Sequence, residues 1–170
     1  MLRGLFMTAG LALWAGLATA ECAGHQETFL SCTFKQSKSV DVCIDGDYIS
    51  YAYGPPAQAE MVLKSQIRFV DYRPWPGVGS SIYESVAFHN GDVSYVVSGY
   101  LNREYPEDEN ADIIVTAHGQ IEVYENDALL TTLDCDPGST DFAWSTTLSD
   151  RRAAMGLCWT NTTHEWSSCE

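Results

Sequence analysis

Between residues 27 and 135 apolar and polar side chains alternate with a period of two, and short clusters of turn-forming residues break the alternation. That is the pattern of antiparallel strands. A first strand is predicted over 27–34, with Leu30, Cys32 and Phe34 on one face, and a second over 39–45, with Val40, Val42 and Ile44 together. Asp45-Gly46 forms a tight hairpin signal leading into 48–53, which Gly54-Pro55-Pro56 ends before another strand over 60–65. Pro74, Pro76, Gly77 and Gly79 make 71–81 a predicted loop. Strands over 82–88 and 93–101 flank Asn90-Gly91, the strongest short hairpin signal in the chain. An acidic loop over 104–112 and strands over 112–117, 120–124 and 129–135 complete the run, with His118-Gly119 read as a turn.

The fold class expected is therefore all-β, an antiparallel meander of about eight strands. A meander must hide its edge strands, which favours a closed or nearly closed barrel over residues 21–137, with a two-sheet sandwich as the alternative. After Asp136-Pro137-Gly138 the texture changes. One short helix is predicted over 149–157, with Ser149 as N-cap, followed by a polar, loop-like end. Residues 138–170 read as a C-terminal appendix packed on the barrel.

Residues 1–20 have the layout of a secretory signal peptide: Arg3, an apolar run over 5–17, and Ala18-Thr19-Ala20 before Glu21. As a helix that apolar run would span about 20 Å, short of a hydrocarbon core of roughly 30 Å, so no membrane anchor is expected. Glu21 ahead of Cys22 argues against lipid attachment at that cysteine. The expected location is periplasmic or secreted, where six cysteines, an even number, read as a disulfide framework.

Six cysteines allow 15 pairings. Cys32 shares a face with Leu30 and Phe34, and Cys135 is in phase with Leu133, so both are expected to point inward from neighbouring first and last strands. Cys43 falls on the opposite face from Val42 and Ile44, which disfavours a Cys32–Cys43 link. Cys158 and Cys169 could close the appendix locally, leaving Cys22 with Cys43. No Cys-x-x-Cys pair and no zinc spacing is present, so the cysteines read as structural.

The formal charge is −14, with 23 acidic against 9 basic residues, and loss of the leader removes only Arg3 from that balance. Nucleic acid and anionic lipid are thereby disfavoured as partners, and a cationic one is favoured. No metal or cofactor site is expected. Asp134, Asp136 and Asp141, and separately Glu107, Asp108 and Glu109, offer oxygen ligands of the kind calcium takes, but in no EF-hand spacing, and they read as solvated acidic loops. His25, His89, His118 and His164 enter no metal or nucleophile motif, and Glu84 and Asp92 stand out no more than any other carboxylate. Aromatic residues are more suggestive, because Trp and Tyr anchor interfaces and stack on sugars. Trp75 in the Pro/Gly loop is the leading contact residue, while Trp144, Trp159 and Trp166 lie in the appendix.

Three stretches taken together carry a resemblance: Phe29 to Cys43, Tyr51-Ala52-Tyr53-Gly54, and Tyr83 to Tyr95 around Asn90-Gly91. They resemble small exported all-β proteins of Gram-negative bacteria, among them the periplasmic lysozyme inhibitors, over about residues 27–135. In those inhibitors a loop bearing a Ser-Gly…Tyr motif enters the lysozyme cleft. The resemblance implies such a role for Ser98-Gly99-Tyr100, and secondarily for Tyr83 after Gly79-Ser80-Ser81-Ile82, although Ser98-Gly99-Tyr100 lies in a predicted strand. The function expected is a non-enzymatic, exported binding protein directed at a cationic enzyme such as a lysozyme. The alternatives are a small-ligand or carbohydrate-binding barrel, then a hydrolase using paired carboxylates.

Overall fold

The computed structural model describes residues 22–56, 58–108, 111–144 and 147–169; the expected leader and Glu109 lie outside them. Two five-stranded antiparallel sheets face one another across a shared core. The first contains β1 (Glu27–Phe34), β2 (Lys38–Asp45), β3 (Tyr48–Gly54) and β4 (Met61–Gln66), with the two-residue β10 (Asp141–Phe142) beside β1. The second runs in sequence order through β5 (Asp71–Arg73), β6 (Ser81–Asn90), β7 (Val93–Glu104), β8 (Ile114–Glu125) and β9 (Ala128–Asp134). Helix α1 (Thr147–Ala154) and a hairpin of β11 (Leu157–Thr160) and β12 (Glu165–Ser168) complete the chain.

Alternation produces this packing directly. Val40, Val42 and Ile44 of β2, Ile49 and Tyr51 of β3, Val86 and Phe88 of β6, Val97 of β7 and Ile121 of β8 all point into one core. The Tyr51 ring bridges the layers, 5.5 Å from Phe88 and 5.7 Å from Tyr95 between centroids. Gly46 and Gly91 take the positive φ that their two-residue turns require. Asn126 and Asp127 do the same between β8 and β9, at an energetic cost small for these residue types.

Among the described residues the hydrogen-bonded ladder does not close, so the expected barrel is corrected to two packed sheets, the arrangement held as its alternative. After β4, the buried Ile67 and Val70 fold the chain over into the second sheet instead of adding another neighbour to the first. At the opposite corner β9 pairs, among the described residues, only with β8. There the Cys135 N–H donates to Gly119 O, the Asp136 N–H donates to Thr33 O, and β10 then joins β1 over two residue pairs. That corner is stitched and has no continuous ladder.

The disulfides are Cys22–Cys43, Cys32–Cys135 and Cys158–Cys169, as expected: face parity favoured Cys32–Cys135, closeness in sequence Cys158–Cys169, and Cys22–Cys43 was the pair left over. Several local expectations are corrected. His118-Gly119 is no turn, because β8 runs through it. A Cβ at Gly119 would sit 2.7 Å from the Cys135 sulfur and 3.2 Å from Leu30, so this glycine permits close packing. The loop expected at 71–81 begins with strand β5. The helix starts at Thr147, which places Ser149 inside it instead of at its cap, and the polar end forms the β11–β12 hairpin.

Candidate functional site

Strand alternation places Tyr83, Ser85 and Ala87 of β6, Val96, Ser98 and Tyr100 of β7, and Glu122 and Tyr124 of β8 on the face of the second sheet turned away from the core. Three of the expected contact residues, Tyr83, Ser98 and Tyr100, are thereby brought together on a rigid surface. Tyr83 pairs directly with Tyr100, ring centroids 6.2 Å apart, and Ser98 lies two residues along. Ser98 is buried between its strand neighbours, and Gly99 points the other way. A Cβ on Gly99 would clash with three carbons of the Phe142 ring, so this position is glycine to let β10 approach β7. Ser98-Gly99-Tyr100 is thus the middle of a strand and no protruding loop. Trp75 stays apart from this group: its ring meets Trp144 edge-on at 5.8 Å and its Nε1–H donates to Val78 O at 3.1 Å.

The same outer face forms one side of a groove of about 750 Å³, and the β11–β12 hairpin forms the other. Trp159, Trp166 and Tyr124 supply rings; Arg73, Glu122 and His164 supply polar and charged groups; Phe69 stands exposed at the margin. Trp159 stacks on His164 with 13° between planes and lies 5.5 Å from Trp166. Trp166 in turn stacks on Tyr72 at 5.8 Å, and its Nε1–H donates to Tyr72 O at 2.8 Å. Beneath them Arg152, almost fully buried, lies over Trp166 at 4.8 Å and Tyr72 at 5.8 Å. Its guanidinium donates to the carbonyls of Ile67 and Val70. Burial lowers its pKa from the usual value, and Asp71 and Tyr72 oppose that shift.

Behind the groove lies a buried carboxyl. Glu84 is 3 % exposed; Tyr72 Oη donates to its Oε1 at 2.7 Å, and Ser149 Oγ lies 3.0 Å from the same phenol oxygen. Its Oε2 has no hydrogen-bond partner among the described residues. Burial pushes this carboxyl up to about 7 against the opposing hydrogen bonds from Tyr72 and the Trp75 backbone N–H. Burial, then the Glu84 charge, raise the Tyr72 phenol. Glu84 was passed over in the sequence, yet its signal was there: it is in phase with Ile82, Val86 and Phe88, so parity alone points it inward.

At the far end of the outer face, His89 hydrogen-bonds Asp71 Oδ2 through Nε2 at 2.6 Å and Ser94 Oγ through Nδ1 at 3.0 Å. Hydroxyl, imidazole and carboxylate are in register, but the imidazole and carboxylate side chains are 53 % and 71 % exposed. Water there weakens the electrostatic assistance that such a row needs for acyl transfer. Among the described residues no group of three His, Cys, Asp or Glu side chains is arranged to hold a metal ion. No helix among them is long and apolar enough to cross a membrane. No protein-family model, curated protein or solved structure matches the chain, so its function has to be argued from the groove and its walls.

Proposed function

We propose that this chain is an exported, disulfide-braced binding protein that takes a polar, ring-bearing ligand of the carbohydrate class in the groove between the second sheet and the β11–β12 hairpin. The observation that carries this reading is the pairing of aromatic faces with polar side chains in a groove of about 750 Å³. Its size falls within the roughly 300–1,000 Å³ range of ligand pockets. Indole and phenol faces stack on the apolar faces of sugar rings, while Arg73, Glu122 and His164 offer hydrogen bonds to hydroxyls. The Cys158–Cys169 disulfide braces one wall and the sheet ladder the other, which lowers the ordering cost on binding. Three disulfides support an oxidising, periplasmic or secreted location.

Tryptophan fluorescence titrated against a panel of neutral and charged oligosaccharides tests the reading. A change that saturates, and that Trp159→Ala weakens tenfold or more, is expected; a silent panel overturns it.

The charge of −14 favours a second reading, in which the partner is a cationic enzyme such as a lysozyme and the outward Tyr83–Tyr100 pair makes the contact. Clearing assays with C-, G- and I-type lysozymes at low and high salt decide it. Inhibition that fades with salt and is lost in Tyr83→Ala/Tyr100→Ala supports it, and no inhibition of any type ends it. Binding is favoured over catalysis because the Ser94–His89–Asp71 row is open to water.

A further inference from the structure

We infer that the buried Glu84 carboxyl is a proton-operated latch: in its neutral form it helps hold α1 and the Trp166 wall of the groove against the second sheet, and its ionisation loosens them. The consequence for ligand rests on the groove reading above, whereas the latch itself is a property of the fold.

The geometry places one titratable group between two parts of the molecule. Glu84 belongs to β6, Tyr72 to β5 and Ser149 to α1, and the phenol oxygen of Tyr72 meets both partners, at 2.7 Å and 3.0 Å. With the phenol donating to the carboxyl, the Ser149 hydroxyl donates to the phenol, so the chain of bonds runs from helix to carboxyl. Tyr72 also carries the groove wall, through its stack with Trp166 and its carbonyl bond to the indole. Arg152, three residues along α1 from Ser149, clamps the same two rings. The helix and hairpin therefore dock on the residue that holds the carboxyl.

The groups acting on Glu84 from the elements around it are few. From β5 there is the Tyr72 hydroxyl and from the following loop the Trp75 backbone N–H, both favouring the ionised form. From α1, Ser149 acts through Tyr72, and Arg152 lies over the Tyr72 ring with its guanidinium committed to the Ile67 and Val70 carbonyls. Across the ladder, β7 presents Gly99, covered by Phe142 of β10, which brings no charge. A carboxylate here keeps one oxygen without a hydrogen-bond partner among the described residues in a buried site, a heavier penalty than for the neutral acid. The upward displacement of this group to about 7 has burial as its first cause and agrees in sign.

The folded state thus holds the proton more tightly than a state in which Glu84 is hydrated. Opening is resisted most at low pH and becomes easier as pH rises through the hydrated carboxyl's value towards 7; the change levels off above that. If opening hydrates Glu84 fully, the opening constant rises by roughly two orders of magnitude between pH 5 and pH 8.

Hydrogen–deuterium exchange on the full mature protein at pH 5 to 8.5, corrected for intrinsic exchange rates, reads that constant for amides of α1, β11 and β12. A rise with pH in the wild type and a flat profile in Glu84→Gln are expected. A flat wild-type profile, or the same rise in Glu84→Gln, overturns the latch. Should Glu84→Gln not fold, Tyr72→Phe serves instead: without a donor that favours the carboxylate, the midpoint must move to higher pH, and an unmoved midpoint overturns the proposal. None of these readouts needs a ligand, so a failed sugar titration leaves them standing. If a sugar binds, equal affinity at pH 5.5 and pH 8 alongside pH-dependent exchange refutes the control of the groove.

Discussion

The indole of Trp166 lies over the phenol of Tyr72 with 24° between their planes, and its N–H donates to the Tyr72 carbonyl at 2.8 Å. One residue of β5 thereby docks the C-terminal hairpin with its backbone and ring while its hydroxyl reaches the buried Glu84. The arrangement explains why a short appendix beyond the main sheets can hold a groove wall in place. Its Cys158–Cys169 link closes the hairpin on itself, and its contacts with the rest of the molecule include Trp166, Arg152, the core residue Leu148, Arg151, which donates to Gly46 O and Glu27, and Arg68, whose guanidinium donates to Met155 O.

Trp166→Phe separates stacking from hydrogen bonding. The ring stays and the N–H goes, so a loss of about 1 kcal/mol is expected in urea unfolding. Trp166→Ala removes both and is expected to cost about 3 kcal/mol, or to undock the hairpin without unfolding the sheets. Near-ultraviolet circular dichroism distinguishes the two outcomes, since undocking abolishes the Trp159 and Tyr72 signals while far-ultraviolet strand bands persist.

Global stability carries the same proton linkage as the latch, with a sign fixed by the raised carboxyl. Between the unfolded value of 4.5 and the folded value of about 7, the native state binds more protons than the unfolded chain. Stability contributed by neutral Glu84 is therefore greatest in acid and declines across that window, by on the order of 3 kcal/mol. Many acidic groups titrate in the same range, so the difference between wild type and Glu84→Gln isolates the effect. The wild type is expected to lose stability relative to the variant from pH 5 to pH 7.5 and to run parallel to it above pH 8. Parallel curves throughout would refute the assignment.

The parts legible in the sequence were those governed by parity. Alternation located β1 to β3, β6 and β7, and the same rule sent Cys32 and Cys135 inward and Cys43 outward, which is how they pair. Parity fails where an element is too short to show a period. The three residues of β5 sit just before a Pro-rich loop, and so Tyr72, on which the groove wall rests, looked like loop. Glycines misled for a different reason. Gly119 suggested a turn, and the Ser-Gly-Tyr resemblance implied a loop role for Gly99 that its predicted strand already opposed; both lie inside strands where Cys135 and Phe142 press against the backbone. The open corner was invisible for a third reason: whether β9 meets β1 depends on how residues 67–70 and 135–142 turn, and no periodicity reports that.

Gly99→Ala tests the packing role. The methyl has nowhere to go without moving the Phe142 ring, which wedges β10 between β1 and β7, so a loss of roughly 2 kcal/mol or more is expected. Phe142→Leu combined with Gly99→Ala should recover part of that loss, giving a non-additive double-mutant cycle. Additivity would mean that the two residues do not meet, and a binding defect at unchanged stability would return Gly99 to the role that the Ser-Gly-Tyr resemblance implied.

The three disulfides span very different lengths of chain, and their removal should rank accordingly. Cys32–Cys135 joins residues 103 apart and ties the two sheets at their stitched corner. Cys22–Cys43 and Cys158–Cys169 span 21 and 11 residues. Constraint of the unfolded chain alone makes the long link worth about 5 kcal/mol and each short one about 3 kcal/mol. Paired Cys→Ser replacement followed by urea unfolding is expected to show the largest loss for Cys32/Cys135. Because Gly119 and Thr33 bond the backbone beside that link, its loss should also free both sheets at the corner and raise exchange of the amides at positions 135 and 136. Replacing Cys158/Cys169 should act locally instead: the core stays protected, Trp166 loses part of its ordering, and sugar affinity falls while the main unfolding transition moves little. A C158S/C169S variant that unfolded as a whole would show that the hairpin supports the sheets, reversing the dependence inferred from the Tyr72–Trp166 contact.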